Sequence, residues 1–294
     1  MEQKQNILGS DFMKKFISLE NVTYKSTDIY SNISTTLLEN INFFVNQGEF
    51  ISIMGPNGCG KSTLARLLNG TLLPTSGEVY VDGLNTKSNV LEVKKKVGMV
   101  FQNPDNQIIS STVEEEIAFG LENLCVPAKE IGPIIKNTLH EVGLDGFEKK
   151  SINSLSGGQK QKLVIAGILA MKPEVIVFDE PTSMLDPDSK KNILSTILKL
   201  KNIHKITVIL ITHYINEALH SDRVVLMDKA KIITIKSPKE LFSDIELIKK
   251  SGILPLASTD ILHFLKANGY NVDISKFCNS ECADEIIKIL EKTK

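Results

Sequence analysis

The chain has 294 residues, room for one or two domains of the usual ~100–200 residues each. Its 34 Lys+Arg against 35 Asp+Glu leave a formal charge of −1, which argues against a protein that coats nucleic acid or an anionic membrane through bulk charge. A 42% hydrophobic share suits a globular core, while the longest strongly apolar run, Ile206 to Thr212, falls far short of the ~20 residues of a membrane span. The opening MEQKQNILGSDFMKK has no apolar block of the signal-peptide kind, so residues 1–15 read as a polar extension and a cytoplasmic location is expected. Four cysteines without paired C-x-x-C spacing indicate neither a disulfide framework nor a metal clip.

Short β-rich runs come first: Phe16 to Tyr24, Leu37 to Val45, and Phe50 to Met54. A helix is expected from Ser62 to Leu68, then a strand from Glu78 to Val81 stopped by the turn pair Asp82-Gly83. Val97 to Phe101 is another short strand. Thr112 and Glu115 have capping-box spacing, which predicts a helix from Val113 to about Leu124. Pro127 opens the next helix and Gly143 closes it. Gly157 to Met171 is helical, Val175 to Phe178 is a buried strand, and Asp186-Pro187 caps a helix to about Asn202. Ile206 to Ile211 and Arg223 to Met227 are further apolar strands. Such runs alternating with helices predict an α/β fold with parallel strands covered on both faces. The largely helical block from about Pro104 interrupts that alternation. After Lys236 the pattern changes to short helices, including Thr259 to Ala267 and Ala283 to Glu291.

The most specific feature is Gly55-Pro56-Asn57-Gly58-Cys59-Gly60-Lys61-Ser62, a G-x-x-x-x-G-K-S that follows the strand FISIM and opens a helix. Glycines let consecutive backbone N–H groups close around phosphate oxygens, and the helix start directs its positive dipole end at the same anion. Lys61 adds a point charge for the terminal phosphates, and Ser62 offers Mg²⁺ a hydroxyl, with Thr63 a weaker neighbour. A glycine-rich turn before a helix explains the glycines but not all eight residues in this context. A nucleoside triphosphate with Mg²⁺ is therefore the expected ligand. The matching acidic strand end is Val175 to Glu180: Asp179 is placed to hold Mg²⁺, and Glu180 to act as general base on a water. Cys59 sits inside the loop, so alkylation is expected to block activity and ATP to protect.

At Leu155-Ser156-Gly157-Gly158-Gln159 the residues point to a family. LSGGQ before a helix, upstream of the Asp-Glu strand, resembles the signature of ABC-type ATPases. The resemblance implies a P-loop NTPase of ABC ATPase type, with a RecA-like core, an antiparallel β-subdomain and an inserted helical subdomain. It also implies that two such subunits pair head to tail, so that Ser156, Gly157, Gly158 and Gln159 of one close on the ATP of the other. Gln102 after VGMVF is similar to the Q-loop glutamine near Mg²⁺ and the attacking water. His213 after ITVILIT is similar to the switch histidine, and SMLD (183–186) to the D-loop. Tyr24 is similar to the aromatic that stacks on adenine; packing on the β-subdomain is the other reading.

VGMVFQNPDNQ (97–107), TVEEEIAFGLEN (112–123), TSMLDP (182–187) and KELFSDIELIKKSGILP (239–255) narrow the resemblance to the ATP-binding subunits of energy-coupling factor transporters, specifically the first of their two ATPase paralogues. This narrower resemblance implies an importer motor for vitamins or transition-metal ions. The implied partners are a second ABC ATPase subunit, as a sister paralogue in a heterodimer, a transmembrane scaffold, and an integral membrane substrate-binding subunit. The chain would sit peripherally on the cytoplasmic face of the membrane. Residues 16–236 are expected to form the ATP-binding domain, with the helical subdomain at about 104–165, and 237–294 a small C-terminal helical accessory or dimerisation domain. A conventional ABC importer subunit and a soluble non-transport ABC ATPase are the alternatives. The first lacks the NPDNQ and SMLDP combination, and the balanced charge gives the second no nucleic-acid footprint. Pro181 stands where Ala is common, Lys162 where Arg is common, and Tyr214 where Asp commonly follows the histidine.

Overall fold

Two sheets share one hydrophobic layer in the computed structural model, which describes residues 15–28 and 33–292. The polar extension, Lys15 apart, lies outside them. In chain order the elements are β1 (Lys15–Thr27), β2 (Ser34–Asn46), β3 (Phe50–Met54), α1 (Lys61–Leu68), β4 (Ser76–Val81), β5 (Leu84–Asn85), α2 (Val90–Lys96) and β6 (Val97–Val100). After a single 3-10 turn at Pro104–Asn106 come α3 (Val113–Asn123), α4 (Ala128–Val142), α5 (Gly157–Ala170), β7 (Val175–Asp179), α6 (Pro187–His204), β8 (Thr207–Ile211) and α7 (Ile215–Ala218). The chain then forms β9 (Arg223–Asp228), β10 (Lys231–Lys236), α8 (Pro238–Phe242), α9 (Ile245–Lys250), α10 (Ala257–Ala267) and α11 (Asn279–Lys292).

The smaller sheet is antiparallel, in the order β2-β1-β4-β5. The larger runs β10-β9-β3-β8-β7-β6 and is parallel from β9 to β6, with β10 antiparallel at the edge. Every residue of β3, β7 and β8 is buried, as expected for strands covered on both faces. Alternation then assigns the faces. Val175 and Val177 join Ile51, Ile53, Leu64 and the inner residues of the small sheet, whereas Ile176 and Phe178 join Leu139, Leu163, Ile165 and Ile197 of the helices. Full burial of a side chain such as Phe178 is worth roughly 1.5–3 kcal/mol, so each strand is pinned in register from both sides.

Capping chemistry sets the helix ends. Glu115 accepts the Thr112 backbone N–H at 3.0 Å at the start of α3, and Asp186 accepts from the backbone N–H groups of Asp188 and Ser189 to start α6. Gly143 ends α4 in the left-handed region at φ 69°. Beyond β10, Leu241, Phe242 and Ile248 of α8 and α9 pack on Met54, Val224 and Leu226 of the large sheet. Helices α10 and α11 meet around a smaller cluster of Leu262, Val272 and Cys282.

Strand β6 sits directly against α5 because position 98 has no side chain: a Cβ on Gly98 would lie 2.3 Å from Ile168 Cγ2. Gly98→Ala is expected to cost roughly 1–3 kcal/mol by overpacking. Denaturant unfolding checks this, and an unchanged midpoint would mean that α5 yields freely.

Candidate functional site

The carboxyl ends of four neighbouring parallel strands, β3, β8, β7 and β6, all deliver chemistry at one edge of the large sheet, where ligands of open α/β sheets bind. At the end of β3, the loop 55–60 is wedged between other strands. A Cβ on Gly55, whose φ is 153°, would lie 2.2 Å from the carbonyl oxygen of Met227, and one on Gly60, at φ 105°, 2.5 Å from that of Leu37. Only glycine allows that approach. Helix α1 starts at Gly60 without a side-chain cap, so its first N–H groups face the loop unused by any capping side chain.

Lys61 is 5% exposed, and its ammonium donates to the carbonyl oxygens of Gly55 at 2.9 Å and Pro56 at 3.0 Å. Among the described residues no carboxylate lies within ion-pair distance of it, so a buried cation is held by neutral groups alone and is suited to an incoming anion. Ser62 Oγ donates to Asp179 Oδ1 at 3.0 Å, across 117 positions of sequence. Burial pushes the Asp179 carboxyl above its ordinary range, and the Ser62 hydrogen bond works against that shift. A hydroxyl beside a carboxylate whose charge needs compensation fits a hard divalent cation. Thr63 is half-buried next to it, and Asn57 and Gly58 are exposed on the loop.

Glu180, one residue past β7, adopts φ 50°, a left-handed conformation that glutamate rarely takes, while its N–H is held by the Ile211 carbonyl at 3.1 Å. Its Oε1 lies 2.8 Å from His213 Nε2, and its Oε2 accepts from Gln102 Nε2 at 3.2 Å. The same Gln102 amide donates to Ser183 Oγ at 3.1 Å. Three residues singled out separately in the sequence thus form one polar cluster, from the mouths of β7, β8 and β6. A water held among a carboxylate, an imidazole and an amide has both an acceptor for its proton and groups to orient it.

The chain brings other named residues only part of the way. Ser156 caps α5 and shares a reciprocal capping box with Gln159; Ser156 and Gly157 are exposed, and Ser156, Gly158 and Gln159 line a cleft of about 250 Å³. Among the described residues no hydrogen bond or ion pair joins Ser156–Gln159 to the loop at Gly55–Thr63. Tyr24 is half-buried against the shared core and pairs across strands with Leu38, whose side chain lies against Gly60. That register carries Tyr24 to the flank of the phosphate loop, and both roles foreseen for it remain consistent with this position. Tyr214 faces Lys190, whose ammonium lies 4.0 Å from the centre of its ring and donates to its hydroxyl at 2.9 Å.

Several supporting residues escape a reading of the sequence. Gln107 donates to the Met99 carbonyl at 2.9 Å and accepts from the Phe101 N–H at 3.1 Å, so it continues the ladder of β6 with a side chain. Gln161, fully buried on α5, reaches the Phe101 carbonyl from the other side. Lys160 of the same helix pairs with Asp105 at 2.7 Å. Glu217, buried on α7, binds Thr182 and Thr212. The NPDNQ spelling was the available signal for Gln107; a glutamate within a short helix offered none for Glu217.

A phosphate loop and a second, capped helix start facing elsewhere, on a parallel core with an antiparallel sheet on one face and helices on the other, define the class as an ATP-binding cassette of the ABC type. Comparison with known proteins agrees with that class and narrows it. The chain matches the ABC transporter family model over residues 38–183. It is 44% identical over 261 residues to the energy-coupling factor transporter ATP-binding protein EcfA1 of Clostridium novyi, covering 88% of this chain and 93% of that protein. It is 39% identical over 279 residues to the protein of that name from Clostridioides difficile, covering 94% of this chain and all 100% of the relative. The structure of cbiO1 from Clostridium perfringens, described as part of the ABC transporter complex cbiONQ, superposes with a TM-score of 0.72 at 34% identity, over 86% of this chain and 99% of that one. A dimeric ATP-binding cassette bound to ADP and Pi in a post-hydrolysis state superposes with a TM-score of 0.68 at 30% identity, over 76% of this chain and 98% of that one. The chain belongs to the family of energy-coupling factor transporter ATP-binding proteins.

The structure weighs against one expectation about the loop. Cys59 is 4% exposed, and burial raises its thiol above the ordinary range despite the nearby Lys61 charge. Reactivity follows thiolate content and access, so Cys59 is shielded by the fold itself and needs no ATP to protect it. Exposed Cys278, whose thiol is held low by its contact with Ser280, and exposed Cys125 are expected to alkylate first and without loss of nucleotide binding. Peptide mapping of a time course checks this; early labelling of Cys59 would mean that the loop opens readily.

Proposed function

We propose that this chain binds and hydrolyses ATP as a motor subunit of an energy-coupling factor importer, with the Glu180–His213–Gln102 cluster as the hydrolytic centre. The observation that carries the proposal is the convergence of those three side chains beside the Lys61 and Ser62–Asp179 site. Gly55 to Gly60 cradle the phosphates, Lys61 neutralises the terminal ones, and Tyr24 lies against the base. Ser62 and Asp179, with Gln102 alongside, would hold Mg²⁺, which when bound supplies positive charge for the phosphoryl oxygens. Glu180 accepts the proton of the attacking water, and His213 orients that carboxylate and meets the γ-phosphate.

The exposed Ser156–Gln159 helix start, with no tie to its own phosphate loop, supports a head-to-tail dimer in which each subunit completes the other's site. A sister ATPase is the proposed second subunit. The groove of about 320 Å³ beside Gln107, lined by Ile109, Phe119, Val164 and Met171, suits a helix of the transmembrane scaffold. Among the described residues no helix is long and apolar enough to cross a membrane, so the proposed attachment is peripheral, through that scaffold and an integral substrate-binding subunit. Residues 16–236 are proposed as the ATP-binding domain, with 104–165 its helical part, and 237–294 as the accessory domain that pairs the ATPases.

Glu180→Gln is expected to lower turnover by about 10²–10⁴-fold while ATP binding persists. Full turnover in that variant would remove the base assignment. Affinity capture from membranes is expected to return a sister ATPase, a transmembrane scaffold and an integral substrate-binding subunit; two permease chains with an extracytoplasmic binding protein would instead indicate a conventional importer.

A further inference from the structure

Glu217 is 5% exposed, and among the described residues it has no cation within ion-pair distance. A carboxylate buried without a cation is costly unless hydrogen bonds satisfy it. Here each oxygen has its own donor: Oε1 accepts from Thr182 Oγ1 at 2.6 Å, and Oε2 from Thr212 Oγ1 at 2.5 Å. Thr212 Oγ1 in turn accepts the N–H of Tyr214 at 3.0 Å, which leaves its hydroxyl proton for Glu217.

The positions of the two threonines give the arrangement its meaning. Thr182 lies two residues after Glu180, and Thr212 immediately precedes His213. Strands β7 and β8 are in register up to Asp179 and Ile211, and the Glu180 N–H still reaches the Ile211 carbonyl. Past that point the ladder ends. The two loops are then joined from below by Glu217 and from above by the 2.8 Å contact between Glu180 and His213.

We propose that Glu217 is a positioning residue for hydrolysis: by bridging Thr182 and Thr212 it sets the separation of the loops that carry Glu180 and His213. The inference rests on the reading of Glu180 as general base. A strap of this kind matters most at a residue such as Glu180, whose left-handed backbone persists only while its surroundings hold it. Glutamine at 217 keeps the size and one acceptor but puts an NH₂ in place of the second, so one threonine must reverse from donor to acceptor and its hydroxyl proton loses the carboxylate. Valine at 212 removes the hydroxyl with nearly the same shape, and serine retains it.

The test measures ATP turnover of the full chain in its membrane complex, with nucleotide Kd and thermal unfolding on the same samples. Glu217→Gln and Thr212→Val are each expected to lower kcat by about 10- to 100-fold, as displaced catalytic groups do, with Kd for ATP near the parent value. Thr212→Ser is expected to restore the rate, and Glu217→Gln combined with Thr212→Val to lose little more than either alone. Parent turnover in either single variant overturns the proposal. So does a loss of kcat that Thr212→Ser fails to restore, or one matched by equal losses in Kd and unfolding temperature. Should Glu217→Gln fail to fold, the Thr212 pair decides the question by itself. Glu180→Gln keeps the two readings apart: full turnover there strikes the base assignment, whereas loss there with full turnover in Glu217→Gln strikes only the strap.

Discussion

The 2.8 Å contact between Glu180 and His213 joins loops that leave two adjacent strands, and it exists only if β7 and β8 end level with one another. Their register is set by burial on both faces. A slip of one residue would exchange the side chains packed against the antiparallel sheet for those packed against the helices, and Phe178 has room only on the helical side. The same constraint reaches the phosphate loop, because β3 lies on the other side of β8 and delivers Lys61 and Ser62 to the same edge. The Ser62–Asp179 hydrogen bond therefore joins residues 117 apart in sequence that are separated in space by one strand. Placement of the proposed site is a property of the sheet before it is a property of any loop.

This explains which parts of the site were legible in the sequence. Glycine at 55 and 60, the lysine that follows and the acidic pair after β7 are tied to local backbone geometry, so a strand–turn–helix pattern was enough to locate them. Gln102 and His213 needed a family resemblance, since a lone glutamine or histidine after a strand has no local mark. Glu217, Gln107 and Gln161 act through partners distant in sequence, and each looks like an ordinary polar residue of a helix or turn. Among the elements, β10 was missed although KIITIK alternates well. Its hairpin turns through Lys229 and Ala230 at φ 45° and 67°, so the backbone of a glycine-type turn occurs without glycine to announce it. Helix α2, seven residues ending in three lysines, buries only Val93 and leaves little periodicity to read.

The burial of Cys59 separates sequence position from chemical availability. Lying within a phosphate loop suggested a thiol at the ligand, yet Gly55 and Cys59 pack against each other: a Cβ on Gly55 would come within 2.9 Å of the Cys59 sulfur. The residue is part of the wedge that holds the loop between strands. Exposed positions of the loop, Asn57 and Gly58, are the ones that a ligand would meet first.

A physical path also links the proposed docking groove to the Glu180–His213–Gln102 cluster. Gln107 lines the groove and its amide holds both the Phe101 N–H and the Met99 carbonyl, while Gln161 of α5 holds the Phe101 carbonyl. Phe101 thus has both backbone groups fixed by side chains from the helical block, and the next residue, Gln102, touches Glu180. Coupling of this kind needs an element with two arrangements that both sites bias. The exposed Gln102 side chain, shared between Glu180 and Ser183, is where such coupling would act under the proposed function, since its amide lies outside the sheet ladder. Under the proposed function, the glutamine clamp on Phe101 would give a docked partner a hold on the residue next to Gln102, while β6 and β7 stay in register.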